Sequence, residues 1–158
     1  MKKYFLKIML TAAILAAPLL FLQPKAIPFE MREGRANLAV TLRLPKDYEF
    51  TKGAPFNLTW ESGNSSSVQF ENAPAGNFDP FNLPYKIPLR TWSGTSVVTL
   101  TARLYFCHKP SNMCFQETFQ TRIPIIVTGR GNLILSYTWD IKPRQRETSV
   151  TRNVQSAS

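Results

Sequence analysis

Apolar and polar positions alternate with period two through most of this chain. Leu38, Val40, Leu42 and Leu44 recur at every second position, with Thr41 and Arg43 between them, which is the pattern of a strand with one buried face. Phe56, Leu58 and Trp60 repeat it against Asn57 and Thr59. The clearest run sets Val98, Leu100, Ala102, Leu104 and Phe106 against Thr99, Thr101, Arg103 and Tyr105. Phe115 to Thr121 and Ile123 to Val127 predict a further extended stretch, interrupted by Pro124, and Leu133, Leu135, Tyr137 and Trp139 predict a last strand. No segment of comparable length beyond the N-terminus has helical spacing.

The connectors fit the same picture. Pro45 to Pro55, Gly63 to Ser67, Asn72 to Pro84, Ser93 to Thr95 and Gly129 to Asn132 have the composition of loops. Short strands spaced by such turns predict an all-β fold, an immunoglobulin-like antiparallel β-sandwich over residues 27–142. The usual inter-sheet disulfide of that fold, which joins distant cysteines across a buried Trp, is not encoded here. Trp60, Trp92 and Trp139 are expected in the core or at its edge.

The N-terminus departs from this pattern. Lys2, Lys3 and Lys7 precede an uncharged apolar run from Ile8 to Leu22, in which Thr11 is the sole polar residue. That arrangement predicts an export signal over residues 1–26, or an uncleaved anchor in the inner membrane. The run is shorter than the roughly 20 residues of a membrane span, which favours the signal. Pro18, Pro24 and Lys25 make a poor cleavage site, which keeps the anchor open. Either way the domain is expected outside the cytoplasm, periplasmic or secreted, where disulfides persist. Of the formal charge of +9, setting aside Lys2, Lys3, Lys7 and Lys25 leaves +5. Several of those charges fall in or beside a polar tail, residues 143–158, which has the composition of a disordered segment. We expect a solvated tail and no nucleic-acid partner.

The chain has two cysteines, Cys107 and Cys114, and between them runs His108-Lys109-Pro110-Ser111-Asn112-Met113. A pair bracketing a turn sequence between two strands is either a staple or a redox couple. As a staple it closes a loop for which the chain-entropy relation gives about 2.5 kcal/mol. As a couple it needs some thiolate and access to a partner's sulfur. His108 and Lys109 bring positive charge directly after Cys107 and are candidate modulators if their side chains fold back to the sulfur, which makes Cys107 the expected attacking thiol. Phe78 and Phe81, two rings in a connector that should be polar, are candidates for a cap over the pair, or else seal the end of the sandwich.

The phrases Leu42-Arg43-Leu44-Pro45, Thr51-Lys52-Gly53-Ala54-Pro55 and Val97 to Cys107 with Cys114 beyond resemble the β-sandwich domain that ends NHL-repeat thioredoxin-like proteins. They are also similar, more loosely, to the N-terminal periplasmic domain of the DsbD family of thiol:disulfide interchange reductases. The resemblance covers about Leu38 to Val127. It implies an immunoglobulin-like fold and, from the DsbD side, a Cys107/Cys114 pair that passes electrons to or from thioredoxin-fold partners. In the NHL-repeat proteins the corresponding domain is an accessory module. The chain has neither a propeller nor a Cys-x-x-Cys thioredoxin domain, so a redox partner has to be a separate polypeptide.

Other chemistries find little in the sequence. His108 is the single histidine and lies outside any nucleophile-elbow phrase, and the chain has no Gly-rich phosphate loop. Two thiols and one imidazole are too few for a closed zinc site, so neither metal nor cofactor is expected. Two functions remain open. One is an exported thiol:disulfide exchange module, and the other a non-enzymatic binding or scaffolding sandwich with a structural disulfide.

Overall fold

The computed structural model describes residues 26–73 and 75–144. The expected signal or anchor lies outside them apart from Ala26, and the expected tail lies outside them apart from Pro143 and Arg144. Ten strands follow in order: β1 (Phe29–Arg32), β2 (Gly34–Arg43), β3 (Tyr48–Phe50), β4 (Asn57–Ser62), β5 (Val68–Phe70), β6 (Ala75–Asn77), β7 (Tyr85–Thr91), β8 (Gly94–His108), β9 (Met113–Thr128) and β10 (Ile134–Asp140). The chain is an all-β sandwich. A six-stranded sheet runs β1-β9-β8-β4-β6, with β3 also on β8, and a four-stranded sheet runs β10-β2-β7-β5. The inner ladders are antiparallel, as expected. Two edge pairings, β1 with β9 and β10 with β2, are parallel, so both sheets are mixed.

Alternation decides which residues form the core. On β8, Val98, Leu100, Ala102, Leu104 and Phe106 are all fully buried, while the residues between them reach the outer face. Leu38, Val40 and Leu42 of β2, Ile87 and Leu89 of β7, and Ile123, Ile125 and Val127 of β9 meet them from the inner faces. Trp60 and Trp139 are buried in this cluster, whereas Trp92, expected at the core or its edge, is exposed at 43% and outside it.

Several strands lie where the sequence reads as loop. β3 falls within Pro45 to Pro55, β6 within Asn72 to Pro84, and β8 already starts at Gly94. β3 and β6 have three residues each, too few to show a period, and are held by the neighbours they pair with. The β1, β5 and β7 strands carried no clear alternating signal either, β7 because Pro88 interrupts it. Pro88 lies opposite Glu71, just past the end of β5: its carbonyl accepts from the Glu71 amide, and its missing N–H forgoes one bond at the end of that ladder. Pro124 is accommodated in the same manner. The Val97 carbonyl accepts from Gly63 at 2.9 Å on the β4 side, so Val97 and Pro124 face each other without hydrogen bonds. The missing donor of Pro124 then points towards β1, whose pairing begins one residue later at Ile125.

The expected loop Gly63 to Ser67 is built by Asn64. Its side-chain amide donates to Ser67 Oγ at 3.1 Å and to the Thr95 carbonyl at 3.0 Å, while its Oδ1 accepts from the Ser66 amide. The turn is thereby tied to the start of β8, the strand that carries Cys107.

Candidate functional site

The β8–β9 hairpin sets Cys107 directly opposite Cys114 at its closed end. The turn between them needs a left-handed residue, which Asn112 supplies at φ 53°, a conformation Asn adopts more readily than most residues. Across the other edge of β8, the Thr51 amide donates to the Tyr105 carbonyl at 3.0 Å and the Lys109 amide to the Asp47 carbonyl at 2.8 Å. Residues 105, 107 and 109 therefore turn their backbone polar groups towards β3. Cys107 and Cys114 consequently form a non-hydrogen-bonded cross-strand pair, the closer of the two antiparallel spacings. Their Cα atoms are 3.9 Å apart, and the sulfurs are joined in a disulfide of 2.00 Å.

Face parity places this disulfide on the outside of the sandwich. Phe106 points into the core, so Cys107 points away from it. Cys107 is half-buried and Cys114 is exposed. Glu49 stands directly across from Cys107 on β3 and therefore shares its face. Tyr105 and Gln116, paired with each other, occupy the next outward positions along the hairpin. The atom that meets the bond is Thr51 Oγ1, 3.4 Å from Cys107 Sγ. A disulfide sulfur has no hydrogen to give, so the hydroxyl is the donor.

The residues expected around the sulfurs are distributed differently. His108 is one residue along the strand and hence on the opposite face, with its ring 4.9 Å from that of Tyr48 and its Nδ1 2.7 Å from Ser111 Oγ. The Lys109 ammonium donates to the Lys46 carbonyl at 3.4 Å. Phe78 is buried in the hydrophobic cluster, against Phe56 and Tyr85. The Phe81 ring lies 6.4 Å from that of Phe50, which shares the inward face with its cross-strand partner Phe106. The ring contacts of Phe78 and Phe81 thus run to rings in or against the core, and the sulfurs lie on the outer face.

Thr51 and Glu49 were not among the candidate residues. Both are more than fifty positions from Cys107 in sequence and reach it through β3, a strand too short to announce itself. The phrase Thr51 to Pro55 stood out as a motif, but no spacing rule ties it to a cysteine that far away.

Among the described residues no three His, Cys, Asp or Glu side chains converge as metal ligands would. The chemistry on offer here is that of two sulfurs, one hydroxyl and one carboxyl group. Comparison with models of known protein families and with curated proteins finds no match for this chain.

Proposed function

We propose that the chain is an exported thiol:disulfide exchange module that works through Cys107 and Cys114 with a thioredoxin-fold partner outside the cytoplasm. The observation that carries this reading is the position of the disulfide, on the outer face at the closed end of a hairpin, with Cys114 exposed. Exchange requires a thiolate to approach the bond along its axis, and a bond in the core would deny that approach. The hairpin also needs little help from the bond, because fifteen cross-strand pairs already fix its register. The likeness to the DsbD-type domain supports the same reading, as does the basic and apolar N-terminus, which suits export.

In this scheme a partner thiolate attacks the Sγ of Cys114, the exposed cysteine. A mixed disulfide forms, and Cys107 leaves as a thiolate. The partner's second thiolate then attacks its own sulfur in the mixed disulfide and releases Cys114. The chain gains two electrons and becomes a dithiol, the partner becomes a disulfide, and the protons come from solvent. Reversal delivers the electrons onward. Exposure favours Cys114 as the sulfur that engages the partner, in place of Cys107.

The second reading, a binding or scaffolding sandwich with a structural disulfide, is favoured by one observation. The bond joins directly opposed residues beside a turn, where a staple would also be placed. The reduction potential separates the two. An exchange couple is expected above about −300 mV, and a structural bond below it. Incubation of the Cys107→Ala variant with a periplasmic thioredoxin-fold protein should trap a reductant-sensitive complex through Cys114. A potential below about −300 mV together with no trapped complex would reject exchange and leave the staple.

A further inference from the structure

We infer that Thr51 is a positioning residue for the disulfide, holding Cys107 as the leaving sulfur by donating a hydrogen bond to it. The assignment rests on the exchange reading above for its biological use, and on the geometry alone for its chemistry. Thr51 Oγ1 lies 3.4 Å from Cys107 Sγ, and no hydrogen bond of this kind is present at Cys114 among the described residues. The two sulfurs are therefore unequal. One belongs to a half-buried residue and has a hydroxyl aimed at it, and the other belongs to an exposed residue.

That inequality gives the bond a polarity. When the disulfide is cleaved, the departing sulfur takes up a full negative charge, and a donor already in place stabilises it more than it stabilised the neutral bond. The backbone keeps the donor there. The Thr51 amide donates to the Tyr105 carbonyl at 3.0 Å, and the Thr51 carbonyl accepts from the Ala54 amide at 3.5 Å, so the residue is held from both sides independently of its side chain. Glu49, across from Cys107 on the same face, opposes the effect, because a carboxylate beside a forming thiolate disfavours it. The other titratable groups along this face are Tyr105 and Arg103, two and four residues earlier on β8, Lys109, whose ammonium is engaged by the Lys46 carbonyl, and Asp47, whose carbonyl accepts from the Lys109 amide. β9 contributes the uncharged Gln116. The Thr51 hydroxyl is the group poised to offset Glu49 at the sulfur. The bond is accordingly expected to open in one direction, with attack at Cys114 and departure of Cys107.

The test uses the full chain with Thr51→Val, which keeps the branched shape and removes the donor, and Thr51→Ser, which restores the donor on a smaller side chain. The first readout is the rate at which excess glutathione reduces the disulfide at fixed pH. The second is the alkylation rate of the Cys107 thiol by iodoacetamide across pH, in a Cys114→Ser background. A hydrogen bond to an ionised group shifts such quantities by roughly tenfold. Thr51→Val should therefore slow both reactions about tenfold and move the alkylation profile to higher pH, with Thr51→Ser restoring both. Unchanged rates in Thr51→Val overturn the assignment, as does a slowing that Thr51→Ser fails to reverse. Because neither readout uses a protein partner, a shift that serine rescues supports the role of Thr51 even where no thioredoxin-fold protein exchanges with the chain.

Discussion

Removing both sulfurs tests how much of the fold depends on them. In a Cys107→Ala, Cys114→Ala variant the native state loses little. Both side chains lie on the outer face, so no core cavity opens, and the fifteen-pair ladder of the hairpin remains. The effect falls chiefly on the unfolded chain, which regains the freedom of the closed loop. For a loop of about eight residues the chain-entropy relation gives about 2.5 kcal/mol at 25 °C. For a domain of roughly 120 residues, 1 kcal/mol shifts the melting midpoint by about 4 °C, so the variant should melt about 10 °C lower. The assay is thermal unfolding followed by tryptophan fluorescence, with urea unfolding for the free energy. Trp60 and Trp139, both buried, report on the core. The variant should keep its far-ultraviolet β signature at 25 °C and unfold cooperatively. A loss above about 5 kcal/mol, or an unfolded variant at 25 °C, would refute the claim that the ladder secures the hairpin by itself.

Two further substitutions probe the scaffold that presents the site. Thr91, 2% exposed, donates its hydroxyl to the carbonyls of Arg32 and Gly34, at 2.7 and 3.1 Å, where the chain passes from β1 to β2. Thr91→Val should cost about 1–3 kcal/mol in urea unfolding, because it strands those acceptors; a cost near zero would show that water replaces the hydroxyl. Gly94 opens β8 at φ 140°, and a Cβ there would run into Ser67 Oγ. Gly94→Ala should cost at least about 1–3 kcal/mol for the backbone conformation, with the clash added; an unaffected melting midpoint would refute the need for glycine at that corner.

The parts of the fold that could be read from the sequence are those where alternation persists long enough to distinguish a face. β2, β4, β8, β9 and β10 carry it over most of their length, and their large buried side chains are the ones the pattern marks, while the buried Ala36 and Ala39 of β2 escape it. Strands of three residues show no period, so β3, β5 and β6 depend on partners that the sequence does not name. The parallel edges were illegible for a related reason. Composition marks where a strand runs, but the register of β1 on β9 and of β10 on β2 is set by how the two layers close on each other. The disulfide pairing was favoured by the chain itself, since two cysteines flanking a turn in one hairpin meet with little rearrangement.

The surroundings of the sulfurs were harder to read, and the geometry of a strand explains why. Proximity along the chain suggested His108 as the neighbour of Cys107, yet in an extended backbone adjacent side chains diverge to opposite faces. The effective neighbours of a strand residue are those directly across the ladder and those two positions away on its own strand. For Cys107 these are Glu49, Cys114 and Tyr105, with Lys109 just past the end of β8 and Thr51 just past β3 in the same phase. Any electrostatic account of the bond must therefore start from β3 and not from the histidine that follows the cysteine. The consequence can be measured. His108→Ala should leave the glutathione reduction rate within about twofold, since its ring lies against Tyr48 on the other face, whereas removing the Thr51 hydroxyl should slow that rate about tenfold. A larger effect from His108 than from Thr51 would mean that sequence adjacency, and not strand parity, governs the chemistry of this disulfide.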